Sequence, residues 1–190
     1  MAYATEKIRN ICLLGHKGDG KTSLVESLLY LTGNIDRLGK TADGNTVCDY
    51  DPEEIKRQIS IQTTLATVET QGYKLNILDT PGSFDFAGEV AQALRVAGCG
   101  LIVVSAKDGV SVGTEKAWRM VRGKHLPSFF YVSKIDEENA NFDNVYENLR
   151  GLFGNSVAPF VFPLFEDGNR PAGVINIVTR KAYKAENGKI

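Results

Sequence analysis

The run Gly15-His16-Lys17-Gly18-Asp19-Gly20-Lys21-Thr22 constrains this chain more than any other feature. It fits the pattern G-x-x-x-x-G-K-[ST], and its flanks fit too. The apolar run Ile8–Leu14 reads as a buried strand, while Thr22–Leu31 carries Leu24, Val25, Leu28 and Leu29 at helical spacing. A glycine-bearing loop between a strand and a helix turns several main-chain N–H groups, and the positive end of a helix dipole, toward a polyanion. In that frame residues His16, Lys17, Gly18, Asp19, Gly20, Lys21, Thr22 and Ser23 surround phosphates. Lys21 reaches the outer two phosphates, and the Thr22 hydroxyl holds Mg2+.

Downstream, strand and helix patterns alternate. Ile59–Val68 and Tyr73–Leu78 read as a strand pair. Phe84–Ala97 reads as a helix with Phe86, Val90 and Leu94 on one face. Leu101–Val104 is a strand covered on both sides, and Phe129–Val132 is a second buried strand. Between them Val112–Gly123 is helical with Ala117 and Val121 inward; Asn141–Phe153 is helical with Val145, Leu149, Leu152 and Phe153 on one stripe. This rhythm predicts an α/β fold, a mostly parallel sheet with helices on both faces. Ligands in such sheets bind at the carboxyl ends of the strands. Residues 32–58 break the rhythm: Thr32–Asp51 is polar, with no sustained period. A stretch that long without regular structure is usually functional. Near the end, Phe160–Leu164, Val174–Val178 and Lys181–Lys184 read as short strands joined by Asp-Gly and Asn-Gly turns.

Two more signals follow strands. Asp79-Thr80-Pro81-Gly82 closes Tyr73–Leu78. An Asp there reaches a Mg2+-bound water, and a Gly offers its N–H to the terminal phosphate. Ser133-Lys134-Ile135-Asp136 closes Phe129–Val132. In GTP-binding proteins the corresponding Asn-Lys-x-Asp reads the base. The Asp accepts from guanine N1–H and the exocyclic amine, and the Lys stem stacks on the ring. Adenine opposes an acceptor to that carboxylate, a mismatch worth about 1–3 kcal/mol.

Charge and cysteine usage narrow the class. At 43 % hydrophobic, 24 % charged and net charge -1, the chain is no electrostatic nucleic-acid binder, so no direct DNA binding is expected. Arg119, Arg122, Lys124 and His125 read as a solvated helix face. Cys12, Cys48 and Cys99 are far apart, so neither a zinc site nor a disulfide framework is expected. No apolar stretch is long enough to span a bilayer, and no signal peptide is visible. A cytoplasmic protein with no membrane partner is the expectation.

These motifs, in this order, resemble the translational GTPases, above all elongation factor G and its paralogues. The resemblance runs almost from end to end. Gly44–Asp49 through Arg57-Gln58-Ile59-Ser60-Ile61 resembles that family's first switch, and Asp79–Phe86 its second. It implies a P-loop G domain, lacking its final guanine-loop motif, over residues 1–155. Residues 156–190 would begin the small α+β subdomain inserted in elongation factor G. It further implies GTP/GDP and Mg2+ as ligands, with Thr22, Ser60 and Asp79 on the metal. Ribosome-stimulated hydrolysis would involve Lys21, Ser60, Gly82 and Ser83, with Ser133, Lys134 and Asp136 at the base. Ser105-Ala106-Lys107 imitates the missing motif, but it stands too early and reads as the loop after a central strand.

The departures are specific. Ser60 stands for the switch Thr, Gln58 for a Gly, and Gly18 for the loop's usual Asp, with Asp19 next door. Ser83 stands where the family carries the His that positions the attacking water, which points to a paralogue. Two further readings share the motifs: a ribosomal protection protein, and a GTP-binding module that docks on the ribosome without hydrolysis. An unrelated P-loop ATPase is disfavoured by Asp136.

Overall fold

The computed structural model describes residues 3–166 and 170–184. The chain divides into two compact units, Met1–Val104 with Ser111–Ser133, and Ser105–Val110 with Lys134–Ile190. The second unit groups the last long helix with the small sheet.

In the first unit, β1 (Ile8–Leu14) leads through the glycine loop into α1 (Lys21–Leu31). There follow α2 (Pro52–Arg57), β2 (Thr64–Thr70), β3 (Tyr73–Asp79), α3 (Ala87–Val96), β4 (Cys99–Ser105), α4 (Val112–Gly123) and β5 (Ser128–Ser133). The sheet order is β2-β3-β1-β4-β5. β1 runs parallel to β3 and β4, and β2 is antiparallel to β3. The register sets Leu13 beside Asp79 on one side and Leu101 on the other, so the loop after β1 and the acid ending β3 emerge at the same sheet edge.

One face of this sheet closes over Leu13, Val25, Leu29, Ala66, Val68, Ile77 and Val103. Each of the Leu, Val and Ile side chains contributes about 1.5–3 kcal/mol on burial. Cys48 joins them at 1 % exposure. The polar segment is therefore anchored to the core by Cys48, with Ile35 packed against the same cluster. The segment also contains α2, unforeseen from its composition. Asp51 caps it by accepting from Glu53 N–H, Glu54 completes a capping box, and Pro52 occupies the first turn. At six residues the helix is too short to display a hydrophobic period.

Several expectations are corrected. β2 starts at Thr64, not Ile59, because the amides of Ile61 and Gln62 go to the Glu54 carboxylate and that of Thr63 to Glu89. Those donors are withdrawn from any sheet ladder. Phe84–Phe86 is a 3-10 turn, with α3 beginning at Ala87; Val90 and Leu94 are buried as expected. β5 is an edge strand with Phe129 and Tyr131 exposed, not a doubly covered one. β4, by contrast, is central and buried, and Ala117 and Val121 of α4 face inward.

In the second unit, α5 (Phe142–Phe153) is capped by the Asn141 side chain and buries Val145 and Leu149. Leu152 is exposed, since its position falls beyond the buried stripe. A three-stranded sheet, β6 (Val161–Glu166), β7 (Arg170–Asn176) and β8 (Lys181–Lys184), is antiparallel throughout. Phe162 of β6 meets the rings of Phe142 and Tyr146 edge-on. β7 begins earlier and ends earlier than expected. The Asp167-Gly168 and Asn187-Gly188 turns lie outside the described residues. Among the described residues, no helix is long and apolar enough to cross a membrane.

Candidate functional site

The loop after β1 is held by its own polar groups. Gly20 has φ 92°, a left-handed conformation that a residue with a Cβ rarely adopts, and it leads directly into α1. The first bond of the helical pattern is Leu24 N–H to Gly20 C=O, so the amides of Lys21, Thr22 and Ser23 have no intrahelical acceptor. The buried Asp19 carboxylate accepts from His16 N–H at 2.8 Å and braces the loop from within. Ser133 donates its hydroxyl to Asp19 C=O at 2.6 Å, with Val104 C=O at 3.3 Å. A serine thus ties the end of β5 to the loop. Lys17, Gly18 and Ser23 are not among the buried positions of this stretch.

Lys21 is buried, and its ammonium donates to the carbonyls of His16 (2.9 Å) and Gly15 (3.2 Å). Burial pushes its pKa down, opposed by the charges of Asp79, Asp19 and Asp49. Gly82 lies against this group. A Cβ there would sit 2.5 Å from Lys21 Nζ and 2.6 Å from Lys17 N, so only glycine lets the second motif close on the first.

Three oxygens converge beside Lys21. Thr22 donates its hydroxyl to Asp79 Oδ2 at 2.7 Å, and Ser60 Oγ stands 3.3 Å from Thr22 Oγ1. The Ser60 hydroxyl also draws the Asp49 carboxyl toward its charged form. Asp79 Oδ1 and Asp49 Oδ2 are both buried without a hydrogen-bond partner. Two orphan carboxylate oxygens next to two hydroxyls form a hard-oxygen set that fits a divalent cation. Asp49 belongs to the stretch that resembles the family's first switch, but no motif gives it a place on the metal. It stands eleven residues before Ser60 in a stretch without period, and only folding brings it here.

Burial pushes the Asp79 carboxyl up to about 6, against the pull of the Thr22 hydroxyl and the Lys21 ammonium. Burial likewise raises Asp49, opposed by Ser60. The unfolded chain holds such a proton less tightly, near pH ~3.9. This contribution to stability is therefore present below about pH 4 and lost as pH rises through about 6. Urea unfolding of metal- and nucleotide-free protein should show roughly 1–2 kcal/mol less stability from this group at about pH 7.5 than at about pH 5. The Asp79→Asn variant should lack that component; parallel profiles for the two proteins would contradict it.

Ser83 starts the 3-10 turn after Gly82, and its hydroxyl donates to Asp85 Oδ2 at 3.2 Å. Phe84 beside it lies under the Lys116 ammonium, 3.5 Å from the ring centroid, and 5.8 Å from the His16 ring.

The second unit carries Lys134 and Asp136. Lys134 has φ 55°, and its ammonium lies 3.7 Å from Asp108 Oδ2. Asp136 follows in the next turn. Ser105 closes a separate turn by donating to Asp108 Oδ2 at 2.7 Å, so Ser105–Lys107 is the loop after β4. That hydroxyl holds the Asp108 carboxyl below the usual range.

Residues 6–187 match the model of the elongation factor Tu GTP binding domain. The chain belongs to that family. Its curated relatives include the elongation factor G-like protein of Mycobacterium tuberculosis, 34% identical over 96% of this chain. Others are elongation factor G 2 of Borreliella afzelii (35%, 95% of the chain) and the mitochondrial ribosome-releasing factor 2 of Candida dubliniensis (35%, 94%). The chain spans 25%, 27% and 23% of those proteins respectively. A crystal structure of a protein from Thermus thermophilus superposes with a TM-score of 0.90 at 40% identity, covering 96% of this chain and 27% of that one. The chain thus has the α/β architecture expected of a G domain of that family.

Proposed function

We propose that this chain binds Mg2+ with GTP or GDP and is the nucleotide-hydrolysing part of a cytoplasmic factor that works on the ribosome. The observation that carries the reading is the convergence of Thr22, Ser60 and the orphaned Asp79 oxygen beside the buried Lys21 ammonium. The main-chain amides from Lys17 to Ser23 and the Lys21 ammonium bind the phosphates and stabilise charge on the transferred group. Thr22, Ser60 and Asp79 hold Mg2+, with Asp49 next to them. The cation neutralises phosphate charge when bound. Gly82 offers its N–H to the terminal phosphate, and its contact with Lys21 and Lys17 supports this role. Ser133 braces the loop, while Lys134 and Asp136 read guanine. Residues 156–190 begin the inserted subdomain, and the described three-stranded sheet is consistent with that assignment.

Guanine selection is expected to reside in Asp136. Isothermal titration of full-length protein should give GDP an affinity about 10–100-fold above that of ADP, a gap that Asp136→Ala closes. Equal affinities in the unaltered protein would refute the assignment. Phosphate release with and without ribosomes tests the hydrolytic step.

A second reading keeps the ligand but drops turnover: a nucleotide-gated module that docks on the ribosome. The Ser83 hydroxyl favours it, because that short side chain is turned to Asp85 rather than toward a water-positioning role.

A further inference from the structure

We propose that Glu26 is a positioning residue for the metal site, the latch by which α1 holds the segment carrying Asp49. The inference rests on the reading of Thr22, Ser60 and Asp79 as a Mg2+-nucleotide site.

Glu26 lies four residues after Thr22, on the same face of α1, and is 1 % exposed. A carboxylate is almost never so buried unless it is paired. Here its two oxygens take main-chain N–H groups from two places in the polar segment: Oε2 from Gly39 at 3.1 Å and Oε1 from Val47 at 2.5 Å. The intervening chain is closed by Lys40 N–H on the Asn45 side chain at 2.7 Å. Gly39 is fitted to the carboxylate, since a Cβ would sit 2.6 Å from Glu26 Oε2 and 2.7 Å from Asn45 C=O.

What Glu26 fixes runs straight to the site. After Val47, Cys48 enters the core, and its carbonyl accepts the Thr64 hydroxyl at 2.9 Å. Asp49 follows, its amide donating to Thr46 Oγ1 at 3.3 Å and one carboxylate oxygen left without a partner. The far end of the segment has separate anchors: Glu54 takes the amides of Ile61 and Gln62, and Glu89 that of Thr63. Ser60 therefore has anchors that do not pass through Glu26, whereas the stretch leading to Asp49 is tied to Glu26 through Val47. One helix thus contributes Thr22 directly and orients Asp49 at second hand. A buried carboxylate is suited to this, because charge-assisted hydrogen bonds to amides are about twice as strong as neutral ones.

The test measures Mg2+ dependence on full-length protein. Release of a mant-labelled, non-hydrolysable GTP analogue is followed across a Mg2+ titration for the unaltered protein, Glu26→Gln, Gly39→Ala and the exposed control Glu53→Gln. In Glu26→Gln one oxygen becomes an NH2 group that faces an amide donor. In Gly39→Ala a methyl displaces the loop from an intact carboxylate. Both should raise the Mg2+ concentration at half-effect by about 10-fold or more, the scale of lost outer-shell support, while release in EDTA is unchanged. A role confined to stability would lower the melting temperature and leave the half-point alone. Half-points within about 2-fold of the unaltered protein in both variants overturn the proposal. Should Glu26→Gln not fold, Gly39→Ala decides by itself. Absence of any Mg2+ effect in the unaltered protein would instead overturn the site reading on which this one stands.

Discussion

Replacing Lys21 with methionine should cost the nucleotide-free protein about 3–5 kcal/mol at about pH 7.5, the penalty for leaving buried carboxylates without their cation. Methionine is close in length and leaves little cavity, so the loss reports charge. The ammonium lies in the field of Asp79, Asp19 and Asp49, all buried, and Asp79 already titrates near 6 with the cation present. Without it the Asp79 carboxyl holds its proton to still higher pH. At about pH 5.5 that group is largely protonated in both proteins, and the penalty should shrink by roughly 1–2 kcal/mol. Urea unfolding at the two pH values measures the difference. Equal penalties would mean that Lys21 supports the loop through its carbonyl hydrogen bonds alone. GTP affinity of the variant should fall at least about 100-fold, since one of the strongest charge-assisted contacts to the phosphates is gone.

Ser83→His should raise ribosome-stimulated phosphate release from the full-length protein by about 10²–10⁴-fold, the range for a positioned group that orients or accepts from water. The backbone at Ser83 is extended, φ -78° and ψ 141°, a conformation that histidine adopts without strain. The serine hydroxyl is engaged with Asp85, so the substitution removes a local hydrogen bond on the surface and little else. Multiple-turnover phosphate release, with and without ribosomes, reads the effect. An unchanged rate would assign the water to another group, and the slow step to something other than hydrolysis.

The elements that were legible in the chain are those whose local signals agree. β1, the glycine loop and α1 combine an apolar run, a left-handed glycine and a helical stripe, and all three appear where expected. α4 does the same, with Ser111 as a cap and Val121 wholly buried. The edge position of β5 was not legible. Ser-Phe-Phe-Tyr-Val-Ser is apolar enough for a doubly covered strand, and only the strand order exposes Phe129 and Tyr131. Nor was the start of β2: Ile59–Thr63 has strand-like residues, but Glu54 and Glu89 capture the amides that a sheet would need.

The sequence by itself determined the glycine loop between β1 and α1, because an apolar strand, Gly, Lys and Thr at fixed offsets and a helical stripe all lie along one short stretch. The separation between Thr22 and Asp79 is a different matter, since it is bridged by the parallel register of β1 and β3. Only the tertiary structure decided that Asp49 joins them. Its place depends on a segment without periodicity, pinned by Cys48 in the core and by a glutamate on another helix, and contacts of that kind leave no pattern in the order of residues.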